Sequence, residues 1–107
     1  MSPQLRSVRV YGDARPQTTD YAAIEAEIER QFDKHGVQRR TLFEWLTYTT
    51  EELGELAAAI ADYEYQRLGG LDEIYNEASQ VAALGVHIMA IVEQAREELE
   101  GLDVVDS

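Results

Sequence analysis

The chain has 107 residues and a mass of 12.1 kDa, enough for one domain whose modest core association would help to complete. Nine Lys and Arg against 21 Asp and Glu give a net charge of -12, which repels a nucleic acid backbone or anionic lipid and suits metal cations and the anions they carry. The absence of Cys excludes disulfides and thiolate metal sites; with no signal-like apolar segment and no run long enough to span a membrane, a soluble protein of the cytoplasm is the expectation.

The acidity is uneven, with 7 basic and 6 acidic side chains in residues 1–40 but 2 and 15 in residues 41–107. Residues 1–19 read as an extended arm: Ser7 to Tyr11 alternates polar and apolar like a short strand, but Pro3, Gly12 and Pro16 bracket it and no second strand is evident. Asp20 is a candidate N-cap for a first helix in which Tyr21, Ile24, Ile28 and Phe32 recur at helical spacing, ended by His35-Gly36. Glu25, Glu27 and Glu29, with Arg30 and Lys34, read as its solvated face.

Thr41 to Glu44 has the spacing of a capping box. From there Leu42, Leu46, Thr49, Leu53, Leu56, Ile60 and Tyr63 follow steps of four and three, a coiled-coil-like seam on a helix reaching about Arg67. Leu68-Gly69-Gly70 stops it, and after Asp72, a second candidate N-cap, a seam resumes as Ile74, Ala78, Val81, Gly85, Ile88, Val92, Ala95 and Leu99. Two long helices joined by a tight turn should lie antiparallel. Val81 to Val92 is apolar nearly all round, which one hairpin and one shorter helix cannot cover. The expected fold is therefore all-α: a long antiparallel helical hairpin plus a shorter N-terminal helix over residues 20–100, completed to a four-helix bundle by a homodimer or homotetramer, with a flexible acidic tail at 101–107.

Chemistry concentrates on two stretches. On a helix Glu51, Glu52 and Glu55 crowd carboxylates onto about one turn, and Glu77 with Gln80 repeats the three-residue spacing on the next helix. Two antiparallel helices would bring both pairs together, an arrangement that suits a hard divalent cation wanting several oxygens at once. A solvated acidic face is the plainer account of such a helix, but the paired spacings favour a metal site.

The pattern Glu52-x-x-Glu55, 21 residues, Glu77-x-x-Gln80, within Glu51-Glu52-Leu53-Gly54-Glu55-Leu56-Ala57, resembles the all-α nucleoside triphosphate pyrophosphatases of the MazG type, whose pattern is Glu-x-x-Glu, a spacer, then Glu-x-x-Asp. The likeness covers roughly residues 20–100, and Gln80 stands where the family has Asp. It implies a Mg²⁺-dependent enzyme (Mn²⁺ as the alternative) that cleaves a (deoxy)nucleoside triphosphate to the monophosphate and pyrophosphate in nucleotide-pool housecleaning. By position it makes Glu52, Glu55 and Glu77 metal ligands, Gln80 the fourth, and Glu51 a group that supports the ligands or orients the attacking water. It further implies a substrate site in which Trp45 stacks on the base beside His35 or Tyr48, while Lys34, Arg39 and Arg40 reach phosphates. Trp45 has a rival role in the core, and His87, alone on an apolar stretch, reads as a packed core or interface histidine outside the site. The competing functional reading, prompted by Gln80, is a weakened or inactive relative that binds a nucleotide or a protein partner.

Overall fold

A helix starts where a residue can satisfy its first orphan N–H groups, and in the computed structural model, which describes residues 12–66 and 68–106, two helices start that way. Helix α1 spans Thr18–His35. Its entry differs from the sequence expectation. Asp20 is not the N-cap: it lies inside the first turn, where its carboxylate accepts from the Gln17 backbone N–H at 2.7 Å and from the Tyr75 hydroxyl at 2.8 Å. Both donors hold the Asp20 carboxyl below the usual carboxylate range, the Gln17 N–H first. At the other end Gly36 takes φ +68, and its N–H closes on the Phe32 carbonyl at 2.8 Å.

Helix α2, Leu42–Ala61, opens with the capping box expected at Thr41: Glu44 N–H donates to Thr41 Oγ1 at 3.1 Å and Thr41 N–H to Glu44 Oε1 at 3.0 Å. Five further residues, Asp62–Gln66, continue as one wider π turn, and the Leu68 N–H then reaches back to the Asp62 carbonyl at 2.9 Å. Gly69 makes the reversal at φ +71. Helix α3 runs Leu71–Asp106, so Asp72 sits within its first turn instead of capping it, and Ile74 N–H bonds the Gly70 carbonyl. The helix continues past residue 100, where the sequence suggested it would stop. The described residues form three helices and no strand, and no helix among them is long and apolar enough to cross a membrane. The strand-like stretch Ser7–Tyr11 lies outside the described residues.

Helix α3 packs against both of the others. Contacts with α1 advance in step, from Asp20 with Tyr75 to Phe32 with His87. Contacts with α2 run in reverse, from Trp45 with His87 to Glu52 and Glu55 with Glu77. Among the described residues those buried are Trp45, Ala59, Tyr63, Ala83 and Leu84. This corrects four of the seven residues expected on the seam; Thr49, Leu56 and Tyr63 do turn inward. On α2 the residues turned inward are Trp45, Thr49, Glu52, Leu56, Ala59 and Tyr63, again in steps of four and three, whereas Leu42, Leu46, Leu53 and Ile60 are 42–54% exposed. The helix carries two neighbouring stripes. The one that meets α3 is the less apolar, and it carries Glu52.

Candidate functional site

Because Glu52 lies on the inward stripe, it cannot extend into bulk water as a surface glutamate would. Glu55, one turn on, is exposed, and Glu77 comes half-buried from α3. Each offers a carboxylate oxygen, and these oxygens lie within 4.8 Å of one another, close enough for one cation to touch all three. The Oε2 atoms of Glu52 and Glu77 are shut off from solvent and receive no hydrogen bond. Contact between carboxyl groups becomes a hydrogen bond only when one of them holds a proton, and that is the direction in which the site is pushed. Glu52 is raised to about 7, by burial first, then by Glu55, with the charges of Glu77 and Glu27 adding to it. Glu77 is raised too, by burial and then by Glu55, with Glu73 contributing. Two buried carboxylate oxygens without a donor, beside a third, exposed carboxylate, fit a divalent ion, whose charge would offset theirs.

Gln80 is half-buried one turn beyond Glu77 and lines, with Glu52, a cleft of about 550 Å³. Lys34, His35, Arg40, Trp45 and Tyr48 line the same cleft. Arg39 is exposed and not part of that lining; Glu51 is exposed and lies outside the three-carboxylate group. Trp45 is only 6% exposed, so it is part of the core as well as a wall of the cleft. His87 stacks on it, with ring centroids 5.3 Å apart and planes 11° from parallel, and meets Phe32 at 5.2 Å. Burial pushes the His87 pKa below the usual imidazole value, which favours the neutral ring.

Two contributions went unread in the sequence. His87 joins the cleft as an aromatic and polar group. Glu27, expected on a solvated face, is half-buried on α1 and takes two bonds from Arg30, Nε at 2.9 Å and the terminal nitrogen at 2.6 Å, and one from Gln31 at 3.1 Å. Arg30 holds the Glu27 carboxyl below the usual range, so it stays ionised and adds negative potential at Glu52. The signal available was the spacing Glu27-x-x-Arg30, which places the pair on one face, but an ion pair at that spacing is far commoner on a surface.

Compared with protein-family models, with curated proteins and with solved structures, the chain matches none.

Proposed function

We propose that the chain is a Mg²⁺-dependent nucleoside triphosphate pyrophosphohydrolase of the cytoplasm, releasing a nucleoside monophosphate and pyrophosphate. The observation that carries this reading is the pair of buried, donorless oxygens, Glu52 Oε2 and Glu77 Oε2, in a three-carboxylate group whose Glu52 borders a cleft with Lys34 and Arg40 on its walls. Such a cleft is of a size with small-molecule sites generally. The reverse order of contacts between α2 and α3 supports an antiparallel hairpin, the frame that joins the two acidic motifs.

In this reading Glu52, Glu55 and Glu77 hold the ion, with the Gln80 amide oxygen as a neutral fourth donor. When bound, Mg²⁺ supplies charge neutralisation at the phosphate oxygens, the principal requirement of phosphoryl chemistry. Lys34 adds positive charge along the cleft for the departing pyrophosphate. Water attacks the α-phosphorus, the bond to the bridging oxygen breaks, and the water proton passes to an exposed carboxylate outside the metal group, for which Glu51 is suited. Incubation with a panel of canonical and modified (deoxy)nucleoside triphosphates and Mg²⁺, with pyrophosphate as the readout and Glu52→Gln as control, tests the proposal. Release from at least one substrate, lost in the control, is expected; silence across the panel from folded protein defeats it.

Gln80 favours a second reading, a relative that binds a nucleotide or a protein partner without turnover. An amide oxygen can ligate Mg²⁺ but brings no charge. Self-association belongs to either reading. The exposed stripe of Leu42, Leu46, Leu53 and Ile60 supports a homodimer or homotetramer in which a second copy's helices complete a four-helix bundle.

A further inference from the structure

Three nitrogens beside the cleft have no hydrogen-bond partner although they are shut off from water: Arg40 Nε, Trp45 Nε1 and His87 Nε2. They come from the connection before α2, the first turns of α2 and the middle of α3, and all three residues line the same cleft. A buried unmet polar group is costly, so three of them around one cleft point to something that would satisfy them. The surrounding side chains form a continuous aromatic wall, Phe32 to His87 to Trp45 to Tyr48, the last two edge-on with centroids 6.4 Å apart. Over the Tyr48 ring, 4.8 Å from its centroid, sits the Arg40 guanidinium. Its tie to Glu44, at 3.9 Å, is longer than a hydrogen bond, so the contact with the Tyr48 ring is what seats it there.

We infer that the Arg40 guanidinium keeps the seat of a flat heterocycle, and that a ring bearing carbonyl acceptors takes its place on Tyr48, with Trp45 Nε1, His87 Nε2 and the N–H groups of the shifted guanidinium along its edge. The inference deepens the nucleotide reading of the cleft and rests on it. Its content is the pattern of donors. Arginine Nε–H and indole N–H can only donate, so two positions demand acceptors from the ligand. Neutral His87 donates or accepts at Nε2 according to its tautomer, and so adapts to the third position. Adenine sets its amino donor beside a single ring acceptor and leaves a protein donor unmet. Guanine, through its carbonyl oxygen and the adjoining ring nitrogen N7, and the dioxo-pyrimidines, through two carbonyl oxygens, each offer two acceptors. His87 thereby becomes a residue that reads the ligand as well as one that packs.

Trp45 is the only tryptophan in the chain, so its fluorescence reports directly on this seat. The test is titration of the whole protein in EDTA with uridine, guanosine and adenosine, following quenching corrected for absorption. Saturable quenching by uridine and guanosine at about tenfold or greater affinity than adenosine is expected. Arg40→Met and His87→Phe should each weaken uridine binding about tenfold or more, with far-UV circular dichroism unchanged. If His87→Phe fails to fold, Arg40→Met decides alone, since that side chain lies at the rim. Equal affinity for adenosine, no saturable quenching, or undiminished binding by the folded variants overturns the inference. The probes carry neither phosphate nor metal, so their failure leaves the hydrolase reading intact, and an inactive pyrophosphate assay leaves the seat standing.

Discussion

On the proposed reading, Glu52 is the residue for which protons and a metal ion would compete. Its carboxyl is raised in the folded chain, so the native state binds a proton more tightly than the unfolded one. The stabilisation is complete below the ordinary carboxyl range, roughly 4.5, and is lost as pH rises through about 7. Metal-free protein should therefore melt at a lower temperature at pH 8 than at pH 5.5, followed by circular dichroism. Glu52→Gln should flatten that slope, raise the melting temperature at pH 8 and abolish the increase that Mg²⁺ gives the parent. A parent protein whose melting point rises across the same interval would show that the carboxylates are not crowded. Gln80 gives a second test at this scale. Gln80→Asp adds the missing charge at the rim of the group, and pyrophosphate release per minute should rise; no gain, together with no Mg²⁺ binding by calorimetry, favours the binding-only reading.

At the scale of single helices, α2 depends most on its start, because the capping box both satisfies its first N–H groups and fixes the entry of the chain beside Trp45. Thr41→Ala should cost about 1 kcal/mol, read as a lower urea midpoint at unchanged slope. Where α3 meets its neighbours, Ala83 is wholly inaccessible, and Ala83→Leu should cost about 1–3 kcal/mol by overpacking. Periodicity made the helices legible, as the Thr41 box and the glycine at residue 36 made their ends. The choice of stripe was not legible. Leu42, Leu46, Leu53 and Ile60 form the more apolar row, and burial arguments from one chain assign such a row to the interior. The row that turns inward holds Trp45, Thr49, Glu52, Leu56, Ala59 and Tyr63, and two adjacent rows on one helix can be told apart only when the facing surfaces are known. The acidic cluster was legible from spacing in pairs. Its connection to Glu27 and His87 depends on how α1 and α3 come together, which spacing does not encode.

At the scale of the whole molecule, the small core is the main fact. Among the described residues no large side chain is fully buried, while Phe43 is 81% exposed and Met89 69%. A chain of this size with so much apolar surface in water would gain stability by pairing, and the leucine row of α2 is the surface proposed for it. Sedimentation equilibrium of the parent should give a mass of two or four chains, and Leu46→Glu with Leu53→Glu should give one. A parent that sediments as a single chain would leave the row without a role in assembly.

The wide turn at Asp62–Gln66 sets how forgiving the chain is of changes in length. A π turn is an α-helix carrying one residue more than it needs, so the spare residue sits just before the reversal. Deleting Glu64 should let the turn relax to ordinary winding while Glu52 still faces Glu77. Deleting Thr50 has no such slack to draw on: it rotates everything upstream by about 100° relative to the rest, and Trp45 leaves its place against His87. The Mg²⁺-induced shift in melting temperature should survive the Glu64 deletion, and the Trp45 emission should move to the red after the Thr50 deletion.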